Sequence, residues 1–414
     1  TRKGTNWKFP ITDPFPFCVN AGKVMEHVIV DKIYPILKNK IYELQHGFIK
    51  GCSTTSQILE YFQDVSEELD KGGQTDIIYL DFAKAFDSVS HRHLLHKLQS
   101  FGLNGKLLAW MRAYLTGRQQ RVAVEGETST WLSVTSGVPQ GSILGPLLFI
   151  LFINDLPNEA DNSKVALFAD DAKCSRKIRC LNDCGLLQND LEKIIEWSKK
   201  WKMRFNATKC QVLSVTRKIQ KIDFPYTIDG TSLEKVNCIK DLGININSGL
   251  TWDDHINNTV NKVYRKIGMI KRTLGYSCPR GTLLALYTSL IRSTLDYGSQ
   301  VWSPWNVNLI KALERTQRSL TKYILGYPEL DYVQRLIELD LLPLSYRREI
   351  LDLTLYFKAK IGLGNPQHLT HVKQVPRGIT RRTNKPGEYL DVEDVSTETF
   401  KHYYYKRLAP LWNN

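Results

Sequence analysis

Two short apolar runs of β type, IIYL at 77–80 and ALF at 166–168, both give way to acid: Asp81 follows the first, and Asp170 and Asp171 follow the second. Runs of this kind read as buried strands. A carboxylate at the end of a buried strand is costly unless a cation meets it, so the chain is constrained to a sheet whose strand ends gather acids around positive charge. Two carboxylates from one strand end and one from a neighbouring strand can hold two Mg²⁺ ions about 4 Å apart. Magnesium suits such a site because it takes hard carboxylate oxygens and keeps several waters. Taken alone, an Asp-Asp pair also suits a surface turn, and the apolar run before it is what argues against that.

The rest of the chain supplies cover for this sheet. Residues 23–44 read as helices around a turn carrying Pro35, and 53–70 as a helix stopped by Gly72 and Gly73. Residues 91–115 give two helical segments split by GLNG, with Leu94, Leu95, Leu98, Leu108, Met111 and Leu115 as core. RQQRVAVEGETSTWLSV reads as a hairpin turning near Gly126. LGPLLFILFI is apolar throughout but only ten residues long, half of the roughly 20 that a membrane span needs; it predicts a buried helix. Residues 186–204 predict an amphipathic helix with Leu187, Leu191, Ile194, Ile195 and Trp197 inward. YTIDGTSL and KDLGININ, between 223 and 246, predict a small antiparallel sheet, and beyond about 250 three helices with basic faces predict a separable domain. Leu and Tyr periodicity continues through RREILDLTLYFKAKIG and loosens over 363–398, where Pro366, Pro376 and Pro386 fall.

Charge is divided unevenly along this pattern. Up to Glu196 there are 22 basic and 23 acidic residues, and beyond it 34 basic and 19 acidic. The basic residues are interleaved with helical apolar positions, so they form faces of folded helices suited to a polyanion, although anionic lipid would answer the same charge. The eight cysteines form no CxxC pair, and Cys174, Cys180 and Cys184 read as reduced thiols rather than zinc ligands. His91, His93 and His96 lack a fourth metal partner and suit a helix surface. The first residues, TRKGTNWKFP, have neither an initiating Met nor a secretory apolar segment, as at a fragment boundary.

Further residues gain meaning beside the acids. In SGVPQG, Gly137, Pro139 and Gly141 give a rigid bend with close backbone approach, and Gln140 can bond a base or sugar edge; a plain turn is the competing reading. Phe86, five residues past Asp81, is either core or a ring that excludes a sugar 2'-hydroxyl. Lys50 in QHGFIKGCST and Lys209 in FNATKC are either solvated or set to meet triphosphate charge.

Together these strings resemble the reverse transcriptases of non-LTR retrotransposons, near the Jockey and CR1-like groups. The resemblance runs through QHGFIKGCST, YLDFAKAFDSVSH, SGVPQGSILGPLLFILFINDLP, LFADDAKC, WKMRFNATKC, KDLGI, LTWDDHI and KHYYYKRLAPLWNN, from about residue 20 to 414. It implies an α+β right-hand polymerase of fingers, palm and thumb, its palm built on a small antiparallel sheet with helices behind. The fingers would begin in 1–75, the palm with an interleaved fingers segment and primer-grip hairpin would fill 76–250, the thumb 251–330, and a C-terminal helical extension 331–414. The implied activity is RNA-directed DNA polymerisation from a primer 3'-hydroxyl, with two Mg²⁺ ions (Mn²⁺ as a substitute) on Asp81, Asp170 and Asp171. The sugar gate falls on Phe86, the loop glutamine on Gln140 beside Gly141, and the lysine that assists pyrophosphate departure on Lys209, with Lys50 toward the nucleotide. Implied partners are an RNA template, a DNA primer and deoxynucleoside triphosphates, with no membrane, and with the endonuclease absent or upstream in a longer protein; such an element works in nucleus and cytoplasm. The chain departs from the family's GFRKGRST string by Ile49 and Cys52 where arginines are expected, each loss removing a charge-assisted bond of roughly 2 to 3 kcal/mol. NWKFPITDPFPFCVN departs from an NYRPISL-like segment. A catalytically inactive nucleic-acid-binding remnant is therefore the alternative.

Overall fold

The two acid-tipped runs form neighbouring parts of one sheet. In the computed structural model, which describes residues 16–275, 278–326, 329–372, 374–375, 389–392 and 395–413, the strands are β1 (Gln74–Leu80), β2 (Lys164–Phe168), β3 (Asp171–Lys177), β4 (Gln211–Thr216) and β5 (Glu234–Val236). Their order is β5-β4-β1-β3-β2. Every neighbouring pair is antiparallel except β5 with β4. Most of NWKFPITDPFPFCVN, and both Pro376 and Pro386, lie outside the described residues.

Helices cover this sheet as their apolar spacing requires. They are α1 (Pro16–Leu37), α2 (Thr54–Asp70), α3 (His91–Ser100), α4 (Gly105–Leu115), α5 (Leu144–Ile153) and α6 (Leu181–Trp201). Pro35 falls in the last turn of α1, where losing one N–H does not break the helix, so one helix stands where two around a turn were expected. Ser53 caps α2 through a reciprocal pairing with Ser56, which satisfies two end donors. All of α5 but Pro146 is buried, so the apolar run is a core helix. Leu94, Leu95, Leu98, Met111 and Leu115 are buried as expected, while Leu108 is only half-buried. The expected hairpin pairs Gln119 with Ser133 and Val124 with Glu127. Its turn residues Glu125 and Gly126 both have positive φ, 51° and 92°, as a two-residue turn of matching twist demands.

The expected small sheet between 223 and 246 is divided in three. Thr227–Ile228 and Thr231–Ser232 form a hairpin about Asp229 and Gly230. The open edge of β4 captures β5 as a parallel strand, and β6 (Cys238–Asp241) and β7 (Ile244–Asn247) form a second hairpin about Leu242 and Gly243.

Beyond it come α7 (Asp253–Leu274), a helical stretch from Arg280 to Asp296 that widens to a π turn at Tyr287–Arg292, α8 (Val307–Leu325), α9 (Leu344–Lys360) and α10 (Tyr404–Asn413). One apolar cluster joins Ile256, Ile267, Leu313 and Leu320 of these helices to Ile58 and Leu59 of α2 and to Leu213 of β4. The closing KHYYYKRL string fastens this part to α2 and α9. Tyr403 donates to the Leu59 carbonyl at 2.8 Å and Tyr404 to the Asp352 carbonyl at 3.1 Å, and Arg407 meets the Asp352 carboxylate at 2.8 and 3.0 Å. Asp70, at the end of α2, accepts the N–H groups of Ser396 and Thr397. Among the described residues no helix is long and apolar enough to cross a membrane.

Candidate active site

β1 and β3 pair in a register that sets Leu80 opposite Ala172. One step further along the same register, Asp81 comes beside Asp171, the first residue of β3. Asp170 sits in the two-residue turn between β2 and β3, since Phe168 pairs with Asp171. The sheet thus brings all three acids to one edge.

That turn is held from a distance. Ala169 has φ 53°, a conformation that costs a side-chain-bearing residue about 1–2 kcal/mol. The Gln45 side-chain oxygen accepts the Ala169 N–H at 3.0 Å and the Gly47 N–H at 2.8 Å. His46 and Leu44 bond the backbone of Leu167, so the QHG string adds a short parallel bridge to the sheet. A Cβ on Gly47 would lie 2.2 Å from the Ala169 nitrogen, so only glycine fits. Asp81 is wrapped on its other side: its carbonyl accepts the Asn206 N–H at 2.7 Å, and its N–H donates to the Cys210 thiol at 3.4 Å.

Crowding sets the electrostatics. Burial, with help from Asp81, raises the Asp170 pKa above the ordinary carboxylate value. The Asp171 carboxyl is pushed up to about 6 by desolvation first, then by Asp170, Asp241 and Asp81, with Lys173 opposing. Lys209 places its ammonium 3.6 Å from the Asp81 carboxylate. Among the described residues no group of three His, Cys, Asp or Glu side chains stands grouped as metal ligands.

Beneath the acids lies a buried ion pair that the sequence reading missed. Lys173 Nζ is 2.5 Å from Asp241 Oδ2, with only 6% and 5% of the two side chains exposed. Tyr79 donates to the same oxygen at 3.2 Å, and the ammonium lies 4.5 Å from the Tyr61 ring centre. The pair ties β3 to the β6–β7 hairpin. A cavity of about 270 Å³ is lined by Asp81, Asp171, Lys209, Lys173 and Asp241, and also by Lys240. Lys240 lines a second space as well, a groove of about 580 Å³ between that hairpin and α7, with Lys262, Arg265, Asn258 and Tyr297 and no carboxylate among the described residues of its wall.

The remaining sequence candidates sit on the loops around this edge. Phe86 stacks on Phe149 (centroids 4.2 Å apart) and meets Phe48 edge-on at 6.3 Å. Gly137 packs against Asp87, where a Cβ would come within 2.9 Å of its Cα, and Gln140 donates to the Asp87 carboxylate at 2.7 Å, so the PQG loop is stitched to the segment carrying Phe86. Gly141, with φ 80°, has open space around it. Lys50 is exposed on the loop after Gly47, its N–H donating to Tyr34, and lines neither cavity. Ile49 and Cys52 are half-buried, and burial raises the Cys52 thiol to about 11. His91 is buried, its ring bonding the Gly137 carbonyl at 2.9 Å.

A mostly antiparallel sheet carrying acids at one edge, a glycine loop and a basic groove define a polymerase-like class of fold, and the family match agrees. The chain belongs to the reverse transcriptase (RNA-dependent DNA polymerase) family, whose profile matches residues 14–246. It is 28% identical over 331 residues to an RNA-directed DNA polymerase from mobile element jockey of Drosophila funebris, covering 76% of this chain and 36% of that one. It is 27% identical over 322 residues to a probable RNA-directed DNA polymerase from transposon X-element of Drosophila melanogaster, covering 76% and 35%. The chain thus spans little more than a third of these relatives' length. Among solved structures it is similar to apo telomerase from Candida tropicalis, with TM-score 0.43 and 11% identity over 73% of this chain and 50% of that one.

Proposed function

We propose that this chain is the polymerase part of a non-LTR retrotransposon's RNA-directed DNA polymerase, adding deoxynucleotides to a primer 3'-hydroxyl on an RNA template. One observation carries the reading: Asp81, Asp170 and Asp171 meet at one edge of the sheet, with Asp170 and Asp171 raised in pKa by burial and by their acidic neighbours, and the cavity lined by Asp81 and Asp171 adjoins, at Lys240, a groove without acids among its described lining residues. Crowded hard oxygen donors are what a divalent cation relieves, so the three carboxylates suit magnesium or manganese and are the residues that would hold two such ions. When bound, the ions supply charge neutralisation at the attacking and leaving oxygens of an in-line displacement.

The chain's own side chains do the rest. The Lys209 ammonium, already drawn to Asp81 at 3.6 Å, can give charge or a proton to departing pyrophosphate. Phe86, braced by Phe48 and Phe149, is rigid enough to exclude a 2'-hydroxyl. Gln140 and Gly141 contact the incoming nucleotide from the PQG loop, and Lys50 adds positive charge for the triphosphate. Lys240, Lys262 and Arg265 of the groove neutralise phosphates of the primer-template duplex. In this reading the fingers begin in 1–75, the palm fills 76–250, the thumb 251–330 and the extension 331–414.

Primer extension on an RNA template, with and without Mg²⁺, tests it. Asp170→Ala with Asp171→Ala should abolish extension while duplex binding survives; unchanged extension would refute the metal assignment. Failure of the unaltered chain to incorporate any nucleotide with Mg²⁺ would leave a nucleic-acid-binding remnant.

A further inference from the structure

The groove beside the acids is not the one cleft suited to a nucleic acid. A cavity of about 620 Å³, within the range of small-ligand pockets, opens between α9, α10 and the segment before α8, and shares no residue with the two spaces described above. On its wall Trp305 is 47% exposed although the His402 ring lies parallel to it, 5.6 Å away at 13°. Arg348, also on the wall, is 95% buried by residue surface, being 5% exposed, and its Nε has no hydrogen-bond partner among the described residues.

The acids near that guanidinium are Glu314, Asp352 and Glu349, and the first two are engaged elsewhere. Asp352 is held by Arg407, and Glu314 accepts the Leu344 N–H and the Tyr332 hydroxyl. Lys401, Lys406 and Arg407 are the other cations on the wall; Glu349 and Glu398 are the remaining acids there, and Glu398 is shared by Lys401 and His402. A buried cation short of a partner beside a backed, half-open aromatic ring matches the face and the phosphate of one nucleotide.

We infer that this cleft is a second docking site for unpaired nucleotides, a base stacking on Trp305 and its phosphate reaching Arg348 and Lys401. Single-stranded RNA and single-stranded DNA share this chemistry. The site does not depend on polymerase activity, so its test does not either.

The test uses the full chain with two probes, a heptameric oligouridine carrying 5-iodouridine and its deoxyuridine counterpart, irradiated and mapped by peptide. A cross-link in the peptide holding Trp305 is expected, and the probe that gives it names the source. In anisotropy titrations Trp305→Ala should weaken that probe by about 5- to 150-fold, the span of one lost base stack, whereas Trp305→Phe, which keeps a ring, should hold most of the affinity. Arg348→Lys, chosen to keep the buried charge, should weaken binding less than Trp305→Ala. Cross-links confined to peptides carrying Lys240, Lys262 or Arg265, or equal affinity of Trp305→Ala and the unaltered chain for both probes, would overturn the inference.

Discussion

Replacing Asp241 by alanine tests the buried pair that joins the sheet to the β6–β7 hairpin. Lys173 and Asp241 are 2.5 Å apart and nearly sealed from water, at 6% and 5% exposure, so the substitution leaves an ammonium in a dry pocket against Tyr61. Orphaning one partner of such a pair costs about 3–5 kcal/mol, and the Tyr79 hydroxyl, which donates to the same carboxylate, adds roughly 1 kcal/mol more. Replacing both partners, Lys173→Met with Asp241→Leu, removes charge and desolvation together and should be near neutral in stability. Urea unfolding of the unaltered chain, Lys173→Met, Asp241→Leu and the double variant gives the coupling directly, with at least about 3 kcal/mol expected. Additive effects, with a coupling below about 1 kcal/mol, would refute the reasoning, since they would mean that neither group depends on the other. Primer extension by the double variant separates stability from function. It should be slow even where the protein is stable, because the hairpin no longer carries a fixed charge beneath Asp171.

Gly47→Ala should unsettle the β2–β3 turn, because its Cβ would meet the Ala169 nitrogen at 2.2 Å; a loss of about 2 kcal/mol or more, read by thermal melting, with a large fall in extension rate, is expected. Ala169→Gly should do the reverse and stabilise by about 0.5 kcal/mol, since relief of a left-handed residue, about 1–2 kcal/mol, exceeds the added freedom of the unfolded chain. Acidification should weaken the fold through His255, whose pKa burial lowers to about 4 while its Nδ1 accepts the Asn245 N–H. A folded pKa below the unfolded one means stability is complete above about pH 6.5 and is lost as pH falls toward 4, by roughly 3 kcal/mol from this one group; His255→Asn should flatten that part of a urea-midpoint profile. Phe86→Ala should raise ribonucleotide incorporation relative to deoxyribonucleotide, measured as a ratio of kcat/KM values.

The strands bearing Asp81, Asp170 and Asp171 were legible because the signal is local: an apolar run and the acid at its end are adjacent in sequence. The same holds for α5, apolar on every side, and for the Glu125-Gly126 turn. What was not legible depends on partners far along the chain. Gln45 is bonded to Ala169 across 124 positions, and Lys173 to Asp241 across 68, and nothing beside either residue announces the other. QHGFIKGCST was read for Lys50 and for Ile49 and Cys52, although a glycine directly after two polar residues is the kind of signal a tight backbone approach leaves. The stretch from 223 to 246 was misjudged as one sheet because its middle strand pairs with β4, whose free edge is a property of the folded sheet and of no local pattern. Lys209 was legible as a positive charge after a turn, but its pairing with Asp81 was not. Leu108 shows the limit of periodicity on a helix whose outer turn faces solvent.

The clasp between Tyr403 and Leu59 closes a loop of 344 residues. During synthesis α2 leaves the ribosome long before the segment that covers it, and at about 5–20 residues per second that interval is roughly 20–70 s. Through that time Leu59 and its neighbours on α2 must wait without their final cover. A nascent chain stalled ahead of Tyr403 would be a natural client for chaperones.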